Sequence, residues 1–243
     1  MCSTSCFYRG SRVDPVRGRV YLRWLRITVV ATVGASLVAC GGLAGQGGPP
    51  DPAAEVSAVT WTAPTQRLHV IFTWEMRDRE ARFSGQGVLR LDLGYRARVD
   101  LFGPRGETLS AAIIEGEEMR VVPPGTDALL PPPALLWSAL GVFRPPADAP
   151  LTATTQGGAG TVLEYARDDV RWRFRFDGEL LRSTEWTARG GRRTVELTGT
   201  ASHGLPGEAV FRDWTEFREL TLRVTDVDEN PVFTADVWTL PGR

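Results

Sequence analysis

The chain has 243 residues, 42% of them hydrophobic and 23% charged, with a formal net charge of −1 at pH 7. That balance excludes a disordered chain and allows one large domain or two small ones. All 28 basic residues are arginine, and beyond residue 39 they alternate with acids and apolar residues instead of clustering, so nothing there suggests a nucleic-acid footprint.

Residues 1–39 carry a net +5, from six arginines against Asp14, so the remainder carries −6. The basic stretch leads into an apolar run, Ile27 to Ala39, of 13 residues, too short to span a bilayer as a stable helix. Basic region followed by short apolar run is signal-peptide anatomy, and 1–39 is read as a leader. The run ends in Leu37-Val38-Ala39-Cys40-Gly41, which resembles the lipobox of bacterial lipoproteins. That resemblance implies cleavage before Cys40 and diacylation of its sulfur. The length of the basic region points to a start further along, for example at Val20. Cys2 and Cys6 leave with the leader in either case, so the mature domain has no disulfide and depends on its core.

Residues 40–65 are read as the lipidated cysteine and a tether, because Gly41 to Ala54 is rich in Gly and Pro without hydrophobic periodicity. Within it, Asp51 to Val59 predicts a short helix with Asp51 as cap and Pro52 at the first position, and Thr60-Trp61-Thr62 reads as extended. From Gln66 the period is two. Leu68, Val70, Phe72, Trp74 and Met76 alternate with polar neighbours, and so do Phe83 to Leu91 and Tyr95 to Leu101. Leu109 to Ile114 and Met119 to Val122 complete a first group of five strands, with turns at Gly94, Gly103 to Gly106 and Gly116. Short connections between consecutive strands predict an antiparallel meander.

Pro131 to Phe143 predicts the one strong helix of the mature chain, entered through three prolines and stopped by Arg144-Pro145-Pro146. Leu135, Leu136, Trp137, Ala139 and Leu140 leave it almost no polar face, so it must cover the apolar side of a sheet. Gln156 to Gly160 lacks the Lys-Ser/Thr of a phosphate loop and reads as a flexible connection. Six further strands are predicted: Val170 to Phe176, Glu179 to Thr187, Arg192 to Thr198, Ala209 to Arg212, Glu219 to Asp226 and Val232 to Leu240. About eleven strands exceed what an open twisted sheet holds without curling. The expected fold is mainly β (α+β): one strongly curved antiparallel sheet over 66–243, an unclosed barrel with the helix across its concave side.

Tyr95 to Leu109, a strand–turn–strand with an aromatic start and Gly103-Pro104-Arg105-Gly106 at the turn, is followed by an acidic Gly turn, another strand and the proline-bounded Leu136-Trp137-x-x-Leu140-Gly141 helix. This order, with Leu205-Pro206-Gly207 before a later strand, resembles the LolA/LolB superfamily of lipoprotein-localisation proteins. The resemblance covers Gln66 to Pro241 and implies a half-barrel whose helical lid closes a hydrophobic cavity for acyl chains. It further implies a lipid-anchored receptor facing the periplasm, with Gly41 after the cysteine favouring the outer membrane. A soluble periplasmic carrier is the expected partner, and no cofactor is implied.

The candidate cavity wall is Phe72, Trp74, Phe83, Tyr95, Leu101, Trp172, Phe174 and Phe176, with Leu136, Trp137 and Leu140 from the lid. A buried acyl chain gains about 0.8 kcal/mol per CH₂, which requires such a wall. The competing reading is that these side chains pack against one another and leave no void. Leu129-Leu130 is the candidate for a protruding apolar loop, and Arg82, Arg96 or Arg98 for a tie from sheet to lid. The arginines of the outer faces read as solvated, and as able to meet acidic partners or phospholipid head groups. An enzyme is not expected: His69 and His203 have no metal-ligand spacing, Ser202-His203 has no third partner in sequence, and Asp226 to Asn230 lacks the glycine and distal glutamate of a calcium loop.

Overall fold

The computed structural model describes residues 47–123, 126 and 129–240. The leader, Cys40 and the first part of the tether lie outside the described residues, and with them the expectations of cleavage and lipidation.

Twelve strands form a single antiparallel sheet. The first five are β1 (Leu68–Arg77), β2 (Arg82–Asp92), β3 (Arg96–Phe102), β4 (Thr108–Glu115) and β5 (Glu118–Val122). The other seven are β6 (Leu151–Gly157), β7 (Gly160–Arg167), β8 (Val170–Asp177), β9 (Leu180–Ala188), β10 (Gly191–Thr198), β11 (Glu208–Asp213) and β12 (Arg218–Glu229). Their order in space is β5-β4-β3-β2-β1-β12-β11-β10-β9-β8-β7-β6. Each group is thus a meander, and the two join where the first strand pairs with the last. The edges are β5 and β6, the two strands flanking the one long connection, and that connection carries α2 (Pro133–Ala139). Because β5 and β6 do not pair, the barrel stays unclosed. The segment between them crosses the opening and drops its apolar helix into the concave side.

Alternation explains the strands. In β1, Leu68, Val70, Phe72, Trp74 and Met76 are all buried while their neighbours are not. Curvature comes from irregularities that alternation alone does not show. The pairing register slips at Ile71/Phe72 in β1 and at Leu101/Phe102 in β3, and such bulges bend a strand. Gly87 pairs with Phe72, and a Cβ there would run into the Phe72 ring, so the glycine makes room for an aromatic lying across the strand.

Four sequence expectations are corrected. The connection read at Gln156 to Gly160 is the tip of the β6–β7 hairpin, where Gly157 pairs with Gly160. β6 leaves little signal in the sequence because it is an edge strand, Leu-Thr-Ala-Thr-Thr-Gln, with both faces polar or half-exposed. Val232 to Leu240 is not a strand but carries a 3-10 turn at Ala235–Trp238. The sheet has no room for it beside β12, whose two edges are taken by β1 and β11. The Arg98 guanidinium instead donates to the Val237 and Thr239 carbonyls, at 2.6 and 3.3 Å.

Helix α1 runs Pro52–Thr62, through the stretch expected to be extended. Asp51 accepts from the Ala53 amide, as its sequence position implied. Ala54 and Ala58 enter the core and Glu55 accepts from the Tyr165 hydroxyl at 2.8 Å, so α1 is part of the folded domain and not of a tether. The residues just before it are held as well, since Gly48 bridges to Thr154 on β6. Finally, α2 is seven residues, shorter than 131–143, because the chain leaves the helix at Leu140 and turns at Gly141 with φ +77°.

Candidate functional site: the space beneath the lid

Helix α2 is buried from Leu135 to Ala139. Trp137 fixes its orientation. Its indole N–H donates to the Gly116 carbonyl at 2.7 Å, and its ring meets Tyr95 edge-on at 6.0 Å. Both partners sit in turns of the first meander, so Trp137 pins α2 to that rim and does not look into a ligand space. Beyond the helix, the Phe143 amide donates to the Thr62 hydroxyl, linking the exit of α2 to the end of α1.

The concave side has two unlike halves. Over β7 and β8 it is solid: Phe143 packs against Phe174 and Phe176 at 4.8 and 5.4 Å, with Tyr165 beside them. Burial in the first place, and the Glu55 carboxylate after it, push the Tyr165 phenol far above the ordinary tyrosine range, so it remains a neutral donor. Over β1, β2, β3 and β12 the packing is incomplete. A void of about 30 Å³ lies beneath Leu136, Ala139 and Leu140, lined by Val70, Phe72, Leu89, Val99, Leu222 and Val224 among others. A water needs at least ~10–15 Å³, so the void is room for one or two waters and not for an acyl chain.

Of the residues expected to share a cavity, Phe72, Leu136 and Leu140 line this void. Trp74 and Leu101 are buried in the core, Trp74 donating to the Gln86 and Phe102 carbonyls. Tyr95 and Trp137 form the peg described above, while Phe174 and Phe176 belong to the aromatic half, with Trp172 half-buried and stacked on Phe174. Phe83 shares the inner face with Leu89 and Leu91, but it is 49% exposed and is corrected as a cavity wall, because the part of β2 around it runs past the end of β3. The aliphatic lining is legible in the alternation of Val70 and Leu89, but alternation does not separate it from the aromatics that share the inner face. Large rings fill space against each other; the gap is left where branched aliphatics meet.

Two further readings change. Leu130 is 3% exposed and faces the void, and Leu129 packs on the core, so this pair does not protrude. None of the three candidate arginines ties the lid. Arg82 pairs with Glu75, Arg96 pairs with Glu115 and lies over the Trp238 ring, and Arg98 holds Asp100 and the C-terminal segment. On the outer faces Arg173, Arg192, Arg212 and Arg223 each meet a carboxylate on an adjacent strand. Such exposed pairs add little stability, yet they occupy the guanidinium groups that were expected to face acidic partners. Among the described residues no cluster of His, Cys, Asp and Glu has the arrangement of a metal site.

No family model and no curated protein matches the chain. Solved structures do. A LolA superfamily protein from Nitrosomonas europaea superposes with a TM-score of 0.53 at 12% identity, covering 79% of this chain and 98% of that one. A domain named for outer membrane lipoprotein sorting, from Vibrio parahaemolyticus, superposes with a TM-score of 0.51 at 9% identity, covering 76% and 94% of the two chains. The fold is LolA-like. At such identities the likeness is one of fold alone, and the residues lining the interior here are this chain's own.

Proposed function

We propose that this chain is a non-catalytic envelope lipoprotein, held by Cys40 at the periplasmic face of the outer membrane, that binds lipid or the acyl chains of lipoproteins beneath α2 and aids their transfer or insertion. The observation that carries the reading is the aliphatic void under a helix that bridges an unclosed barrel. A helix packed on the sheet by side chains and by few polar links can rise without breaking a strand ladder, and the void marks where the packing is weakest. The LolA-like architecture supports the same reading, as does Gly41 after the cysteine. A soluble periplasmic carrier that delivers the cargo is the partner this role requires.

The test is native mass spectrometry of the full chain, purified in mild detergent and offered a lipopeptide carrying acyl chains. A retained lipid or a one-to-one lipopeptide adduct is the expected result, and its absence would remove the reading. A second reading has an observation of its own: the solid aromatic half around Phe143. If the whole interior stays filled, the protein is an assembly lipoprotein that acts through protein partners on its surface.

A further inference from the structure

We infer that the outward face of α1 rests in the interface of the bilayer that holds Cys40, and so sets the mouth of the barrel against the membrane. The inference rests on the anchoring proposed above and extends it from the lipid to the folded domain. A helix on the surface of a water-soluble domain turns charged and polar side chains outward. Helix α1 does not. Its eleven residues, Pro-Ala-Ala-Glu-Val-Ser-Ala-Val-Thr-Trp-Thr, include one charged side chain, and the Glu55 carboxylate is taken up by the Tyr165 hydroxyl. Ala54 and Ala58 face the core. What is left outside is Pro52, Ala53, Val56, Thr60 and Trp61, with Val56 66% and Trp61 40% exposed. The one hydroxyl among these five is already used, since Thr60 donates to the Val56 carbonyl at 2.9 Å. An exposed helix face that carries no charge and an engaged hydroxyl is the kind of apolar surface that meets a membrane or a partner.

The position of the helix in the chain favours the membrane. Gly48 is bridged to Thr154 on β6, and the Asp51 amide donates to the Thr154 hydroxyl at 3.0 Å, so the chain is clasped to the barrel just ahead of α1. The clasp is close, because a Cβ on Gly47 would come to 2.8 Å from the Ala153 Cβ and one on Gly48 to 2.9 Å from the Thr154 carbonyl oxygen. Eight residues lead from Cys40 to Gly48, at most about 29 Å of fully extended chain. The first described helix after the anchor is therefore kept within a short reach of the lipid. Val56 and Trp61 are too small a surface to hold a protein on a bilayer alone, but a short tether keeps them at an effective concentration on the order of millimolar. Tryptophan suits the interface, being apolar in its body and polar at its N–H. Trp61 also lines a cavity of about 100 Å³ at the mouth of the barrel, together with the exit of α2 at Gly141-Val142. A bilayer against Trp61 lies beside the end of the lid, where an acyl chain leaving the membrane has the shortest path to the interior.

The experiment uses the full chain, lipidated in the cell and reconstituted in vesicles of phosphatidylethanolamine and phosphatidylglycerol that carry nitroxide-labelled lipid. An acyl group on Cys40 blocks its sulfur, so the parent chain should take up no NBD thiol label and Val56→Cys should take it up at one site. Asp228→Cys is the control, on the convex face of β12 next to Val227, which packs on the core. The label at 56 should shift to the blue and lose most of its emission to the nitroxide, while the label at 228 keeps its emission. Trp61→Glu, added to Val56→Cys, should abolish both the shift and the quenching. Trp61 is already 40% exposed, so this change should leave the circular dichroism melt in place. Equal quenching at 56 and 228, or quenching at 56 that survives Trp61→Glu, overturns the contact and leaves the anchor intact. A blue shift at 56 without quenching means that protein covers the face, a second copy or the carrier, and overturns it too. Label uptake by the parent chain, or a chain that the vesicles do not retain, removes the lipid anchor and this inference with it.

Discussion

Trp137 and Asp213 show how single side chains hold this fold at its rims. Trp137 has the size of a cavity wall, yet its one polar atom decides its role, since a buried indole N–H must find an acceptor and Gly116 supplies it. Asp213, 1% exposed at the end of β11, does the same for the β11–β12 turn. Its carboxylate accepts from the Thr215 and Glu216 amides at 2.9 and 3.0 Å and from Arg193 at 2.7 Å. Burial alone would raise its pKa, but the Glu216 amide, Arg193 and the Thr215 amide outweigh it and hold the carboxyl below the usual range. A carboxyl whose folded pKa is lowered stabilises above its unfolded value of about 3.9, and that stability is lost as pH falls through the folded pKa. Asp213→Asn should therefore cost about 2 kcal/mol at neutral pH and progressively less as the pH falls below about 3.9, checked by urea midpoints from neutral pH down into the acid range.

Among the elements, α2 decides whether the interior is a site or a core. It lacks a side-chain cap, its helical span is only seven residues, and it is held by packing, by the Trp137 hydrogen bond to the Gly116 turn and, past its exit, by the Phe143 hydrogen bond to α1. So short a helix owes its existence to burial, not to helix propensity. Val70 of β1 faces the void below it. Val70→Ile adds one methylene to a gap of about 30 Å³ and should raise the unfolding free energy by about 0.5–1 kcal/mol. If the void is the seed of an acyl site, the same change should weaken acyl-probe binding. Urea titration and a probe titration on the one variant read both, and higher stability with unchanged binding would place any acyl site elsewhere.

For the whole molecule, the pairing of β1 with β12 puts both strands that flank the α2 connection at the edges of the sheet. A chain so arranged closes its barrel with a helix instead of a strand pair, and a helix can move where a strand ladder cannot. The proposed anchoring through Cys40 is tested at this scale also. Cys40→Ala should release the protein from the membrane fraction into the soluble one, measured by fractionation and by loss of acyl mass; retention at the membrane would remove the lipobox reading.

Much of this was legible in one dimension. Alternation from Leu68 to Met76 announces a strand with one dry face whatever its neighbours are, because side chains alternate across a strand by geometry. Glycines at 94, 103, 106 and 116 announce tight turns, and an all-apolar stretch between prolines announces a buried helix. Leu151 to Gly157 stayed silent because an edge strand needs only one partner and no dry face. Val232 to Leu240 misled because a favourable pattern cannot pair when both sides of β12 are already occupied. The sequence by itself therefore determined the class of fold, an antiparallel meander interrupted by one apolar helix. Only the tertiary structure decided what that helix covers: Trp137 is bonded to a turn, the aromatics pack on Phe143, and the void lies among aliphatics. The reason is physical, since a pattern of burial records which side of an element is dry but not how well the dry sides fill one another.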